Sequence, residues 1–163
     1  MHKFTVLELK KIRWLILLVF PMLLTACRVP NVEWELKISG NVSNPITYSF
    51  DELAKMEFVD LNDVLMEKSR GEDEVRSFSG VPLDKLLEAA GAPDDISTIT
   101  AIAADGYAIE ISKDEMVNGI VALMQSGEWI VDEDPDAGPI RLVFPTMPAN
   151  RWIFQVNEIV INQ

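Results

Sequence analysis

Past Cys27 the chain holds neither a cysteine nor a histidine; the only histidine is His2. This one fact bounds the fold. No disulfide can staple the domain, so packing alone must hold it. It also removes whole classes of chemistry. Ser-His-Asp and Cys-His nucleophilic sites need an imidazole base. Zinc sites built on Cys or His, iron–sulfur clusters and the usual haem ligands other than Met or Tyr go with them.

The single thiol, Cys27, closes an apolar run that starts at Trp14, with Lys3, Lys10, Lys11 and Arg13 ahead of it. A basic region, a short apolar stretch and small residues before a cleavage point form a secretory signal. From Trp14 to Leu24 the run has 11 residues and contains Pro21, whereas a spanning helix needs about 20. Leu24-Thr-Ala-Cys27 resembles the lipobox of bacterial lipoproteins. That resemblance implies lipidation of Cys27 and attachment to a membrane outside the cytoplasm. Several acyl chains hold a protein firmly where one does not. Arg28 follows the cysteine. By the same analogy this favours the periplasmic face of the outer membrane in a two-membraned bacterium, and otherwise the outer face of the cytoplasmic membrane. The expected organisation is a signal peptide over 1–26, a lipidated tether over 27–32 and one domain over 33–163.

Past residue 26 the chain keeps 10 basic residues against 25 acidic ones, a formal charge of −15. Such a surface repels phosphate backbones, which excludes nucleic acid as a partner. It also repels anionic headgroups, so lipid rather than a basic patch would hold it to a membrane. The remaining 137 residues suit one core.

Short apolar patterns set the expected elements. Trp34, Leu36 and Ile38 alternate with polar residues, a half-buried strand. Ser49-Phe-Asp-Glu52 fits a capping box opening a helix to about Met56. Strands are expected over 58–66 and 76–79. Leu83, Leu86, Leu87 and Ala90 share one helical face behind Pro82 at the first helical position, and Gly91 and Pro93 end that helix. Further strands are expected over 99–103, 107–111, 120–124, 129–131, 140–144 and 152–161. The last changes phase near Asn157, as at a bulge. Ser112-Lys-Asp-Glu115 is a second capping-box pattern.

The order of these pieces resembles the molybdopterin-binding domain of the sulfite oxidase family. Carrying the likeness are Trp34–Gly40, Tyr48-Ser-Phe-Asp-Glu-Leu53, Ser79-Gly-Val-Pro-Leu-Asp-Lys-Leu-Leu87, Ala104-Asp-Gly-Tyr107, Gly138-Pro-Ile-Arg-Leu-Val-Phe-Pro145 and Asn150-Arg-Trp152. The resemblance implies an α+β fold, a mixed β-sheet domain with a few short helices. It also implies a pterin cofactor and a cysteine thiolate on molybdenum. The matching stretch, Asp60–Glu67, has no cysteine, and a carboxylate or thioether does not replace a thiolate there.

Candidate ligand-binding residues are Asp105, Tyr107, Arg141, Arg151 and Trp152. Arg141, between Ile140 and Leu142, is either a solvated strand arginine or a guanidinium clamp for carboxylate or phosphate. Arg151 and Trp152 could hold a planar ring, or Trp152 could be a core anchor. Asp105-Gly106-Tyr107 is turn chemistry, or, by the resemblance, a ligand rim offering the Tyr107 hydroxyl. Asp132, Asp134 and Asp136 match the first EF-hand positions, but Ala137 and Val143 stand where glycine and glutamate belong; an acidic surface loop or a looser calcium site remains. No metal-binding or catalytic residue is assigned.

The expected function is a lipid-anchored, non-catalytic module. It would bind a pterin-like ligand without molybdenum, a small anion or an envelope partner protein. A molybdopterin-dependent oxidoreductase, or an accessory subunit of one with atypical metal ligation, is the alternative.

Overall fold

The computed structural model describes residues 28–68 and 71–162. Residues 1–27, where the signal peptide and the lipidated Cys27 are expected, lie outside the described residues. Among the described residues no helix is long and apolar enough to cross a membrane.

The architecture is α+β: one mixed and one antiparallel sheet with a few short helices. Strands run in chain order as β1 (Glu35–Gly40), β2 (Ile46–Ser49), β3 (Val59–Met66), β4 (Glu74–Pro82), β5 (Thr98–Ala103) and β6 (Ala108–Ser112). After them come β7 (Ile120–Gln125), β8 (Glu128–Trp129), β9 (Arg141–Val143), β10 (Ile153–Phe154) and β11 (Val156–Ile161). Helices α1 (Phe50–Leu53), α2 (Leu83–Ala89) and α3 (Ile130–Glu133) connect them, with one 3₁₀ turn over Ala149–Arg151. The first sheet has the order β2-β1-β11-β5-β6. In it β1 and β11 are parallel, and the other neighbours antiparallel. The second sheet runs β10-β9-β7-β4-β3, with β8 paired to β7.

Both sheets contribute to one apolar core. Leu36 and Ile38 from β1 are fully buried, as their alternation requires. Phe78 of β4 meets Trp152 edge to face at 5.5 Å. The Trp152 indole N–H donates to the carbonyls of Phe144 at 2.9 Å and Met147 at 3.1 Å. A buried indole needs such an acceptor. Gly80 sits where β4 and β7 shift register. A Cβ there would lie 2.1 Å from the Val121 carbonyl oxygen, so only glycine lets the strands close.

Several elements differ from expectation in their ends. The capping box at Ser49 is formed, with the Glu52 side chain accepting from the Ser49 N–H at 2.8 Å. Helix α1 stops at Leu53 because Lys55 and Met56 donate three residues back, to Glu52 and Leu53. This is the tightening common at helix ends. Pro82 closes β4, pairing with Ile120, and caps α2 instead of opening it. Leu83, Leu86, Leu87 and Ala90 are buried as read, and Gly91 takes φ +69°. The expected strand 129–131 is a correction: only Glu128–Trp129 pairs, and Ile130 starts α3. The strand expected over 152–161 is two strands in different sheets, broken at Gln155 with φ +48°. The bulge expected near Asn157 is present, as a register shift between Val156 and Glu158.

Phe78→Ala removes a 1% exposed ring from the contact between the second sheet and Trp152. Truncating a buried Phe costs about 3–5 kcal/mol. Denaturant unfolding should give a lowered midpoint with an unchanged m-value.

Candidate functional site

Arg141 is the centre of the most unusual chemistry in the domain. It lies on β9, between β7 and β10, and only 3% of it is exposed. The solvated-arginine reading is therefore overturned: the side chain turns inward. Its guanidinium stands 3.9 Å from the centroid of the Phe154 ring and 5.6 Å from that of Phe78. Phe154 reaches it because β10 pairs with β9 so that Phe154 faces Arg141. One terminal nitrogen donates to Gln125 Oε1 at 3.2 Å, while Nε is buried without a partner.

A polar chain leads outward from this cation. Gln125 donates to Glu133 Oε2 at 3.4 Å. Glu133 also lies 3.7 Å from Arg76, whose guanidinium holds Glu74 at 2.8 Å. Lys68 takes the other Glu74 oxygen. The chain thus sets Lys68, Arg76 and Arg141 against Glu74 and Glu133, a local excess of one positive charge in an acidic domain. Burial pushes the Arg141 guanidinium down to about 10; the Asp134 charge opposes the drop and Arg76 adds to it. The group is still charged at neutral pH. Hydrogen bonds from Lys68 and Arg76 hold the Glu74 carboxyl below its usual range.

The other predicted residues stand elsewhere. Trp152 is 4% exposed and is the core anchor described above, so no face of it is open for a ring stacked with Arg151. Arg151 instead clamps Glu115: its Nε donates at 2.9 Å and its Nη2 at 2.8 Å. Nη2 also donates to the Glu110 carbonyl at 2.8 Å. Glu115 forms its half of the second capping pattern by accepting from the Ser112 N–H at 2.8 Å and Oγ at 3.0 Å. Those bonds, led by the backbone one, and Arg151 lower the Glu115 carboxyl. Asp105 accepts from the Tyr107 N–H at 2.9 Å, and Gly106 takes φ +87°. The pair builds the turn between β5 and β6, in the first sheet, and leaves Tyr107 exposed ahead of the strand. Asp132 and Glu133 belong to α3, with Asp134 as its cap. Among the described residues no three carboxylates gather closely enough to hold a metal ion.

Sequence reading missed Gln125, Glu133 and Arg76, which have no motif. It also missed an open groove of about 990 Å³ beside α2, with Val59, Leu61, Met116 and Val117 among its lining.

A two-sheet domain around a buried guanidinium defines the class of fold. The chain belongs to the oxidoreductase molybdopterin-binding domain family, whose model matches residues 25–163. In three dimensions it is similar to the sulfane dehydrogenase SoxCD from Paracoccus pantotrophus, with a TM-score of 0.70 and 20% identity. That likeness covers 82% of this chain and 40% of the other, and it concerns the fold. No curated protein matches.

The residues present do not fit the cofactor that the family name implies. The stretch that would offer a thiolate is β3, which offers Asp60, Asn62 and Asp63. The described lysines, Arg76 and Arg151, which could meet a pterin phosphate, have internal partners. Lys37 pairs with Glu158 at 2.8 Å, Lys85 with Glu88 at 3.1 Å, and Lys113 donates to the Asp94 carbonyl at 2.7 Å. Lys55 is held by Asp51, and Lys68, Arg76 and Arg151 are paired as described.

Two outcomes follow from this geometry. Burying a cation costs several kcal/mol, which one buried hydrogen bond of about 1 kcal/mol and two ring faces of about 1–2 kcal/mol each roughly offset. Arg141→Met should leave stability within about 1 kcal/mol of the parent or raise it, as with other apolar replacements of buried ions; a denaturant titration decides. Glu115 has a folded pKa below its ordinary value of 4.5, so its contribution is present above that value and lost as pH falls through the folded pKa. Glu115→Gln should flatten the decline of the melting temperature between about pH 5 and pH 3, and lower it at neutral pH.

Proposed function

We propose that this protein is a lipid-anchored, extracytoplasmic binding module that keeps the molybdopterin-binding fold without its redox chemistry. One observation carries the reading: β3 offers no thiolate, and every described lysine, with Arg76 and Arg151, is held by an internal partner. A domain built this way retains shape and loses the means to hold a metal-bearing phosphorylated pterin. Its ligand is instead met by exposed surface. The anchor on Cys27 is supported by the lipobox-like segment and the apolar run of 11 residues ahead of it.

The test is native mass spectrometry with elemental analysis on the full chain, purified from membranes without denaturation. The expected mass is that of a polypeptide starting at Cys27, with acyl groups and no pterin or molybdenum. Stoichiometric molybdenum would establish the oxidoreductase alternative, which family membership favours. A mass that includes residues 1–26 would remove the anchor.

A further inference from the structure

The groove beside α2 differs in character from the Arg141 region. Val59 and Leu61 lie two residues apart on β3 and so point to the same side. Met116 and Val117 line the groove from the segment between β6 and β7. Val59 is 40% exposed and Val117 52%, a high cost in water for apolar side chains with nothing over them. Around this floor stand Asp84, Glu88 and Asp94 against Lys85 and Lys113. Both lysines are already engaged, Lys85 by Glu88 and Lys113 by the Asp94 carbonyl. The rim is therefore net negative, as is the whole domain. An anion or a second copy of this acidic chain would meet repulsion there. Strand β3 also ends its sheet. Its regular part beside the groove is Val59–Leu61; beyond that the ladder is interrupted between Leu61 and Val64, with Asp63 at φ +53°, which leaves Val59–Leu61 as the stretch open to a partner.

We propose that this groove and the β3 edge receive an extended segment of a partner protein in which apolar side chains alternate with basic ones. Apolar residues would cover Val59, Leu61, Met116 and Val117, and lysine or arginine residues would face Asp84 and Asp94. Alternation suits a strand added to an open sheet edge, where main-chain bonds supply affinity and alternate side chains supply specificity. The inference rests on the binding-module reading and names the chemistry of its partner.

The experiment uses the full-length protein in nanodiscs of neutral phosphatidylcholine, with empty nanodiscs as baseline. The probe is a ten-residue peptide alternating lysine with valine, labelled with an uncharged dye and followed by anisotropy. A peptide alternating glutamate with valine is the control. The lysine peptide should bind, the glutamate peptide should not, and binding should weaken with added salt. Val117→Asp, at an exposed position, should lower affinity at least tenfold while leaving the melting temperature unchanged, and Asp84→Asn, which keeps the oxygen that accepts from the Lys85 N–H, should lower affinity as well. Binding of neither peptide, equal binding of both, or indifference to both substitutions would overturn the proposal. So would a dimer in sedimentation that Val117→Asp dissolves, because a second copy would then be the occupant. A bare polypeptide mass together with absent peptide binding sinks this inference alone. Bound molybdenum sinks the reading beneath it.

Discussion

Everything in this fold turns on the passage of the chain from one sheet to the other at Gln155. Ile153 is 1% exposed in the second sheet and Val156 fully buried in the first. Only the left-handed Gln155 and its neighbour Phe154 lie between them. A non-glycine residue held at positive φ costs on the order of 1 kcal/mol or more, and it persists only where surroundings over-determine it. Here they do. Trp152 is fixed by two carbonyl acceptors immediately before the passage, and the Trp34 indole donates to the Val156 carbonyl at 2.9 Å immediately after it. The same passage aims Phe154 at the guanidinium of Arg141. The buried cation and the joint between sheets are thus one piece of construction.

That coupling shows how the fold is held together by its own side chains. The Gly138–Pro145 segment that resembles the family carries Arg141 into the core, where two aromatic faces and Gln125 receive it. The polar chain through Glu133, Arg76, Glu74 and Lys68 satisfies the charges that a ligand would otherwise meet. Acidic residues elsewhere on the domain serve as partners for the remaining lysines. The described lysines are held within the scaffold, and the groove beside α2 is its open apolar surface.

The fold was legible wherever local pattern and burial agree. Leu36 and Ile38, the α2 face from Leu83 to Ala90, and the Ser49/Glu52 capping box were readable because period and hydrogen-bond chemistry act over a few residues; at Ser112 only the Glu115 half of the pattern forms, and no helix follows. The Asn157 bulge was readable from a change of phase. The break at Gln155 was not, because Trp152, Phe154 and Val156 keep a strand-like period while the chain changes sheet. Nor was the orientation of Arg141, since alternation with Ile140 and Leu142 suggests an outward side chain in a sheet covered on one face. In β9 all three residues are buried, and alternation then carries no information about solvent. The partners Gln125 and Glu133 and the groove arise from segments distant in sequence, which no spacing rule connects.

The place of β11 has a consequence for when the domain can exist. The last strand of the chain is the middle of the first sheet, parallel to β1 and antiparallel to β5. Until residue 161 is available, β1 with β2 and β5 with β6 are two separate hairpins, each with an open apolar face, and such ribbons are marginal alone in water. The first sheet therefore closes only when segments from opposite ends of the fold meet, Val156–Ile161 entering between Glu35–Gly40 and Thr98–Ala103.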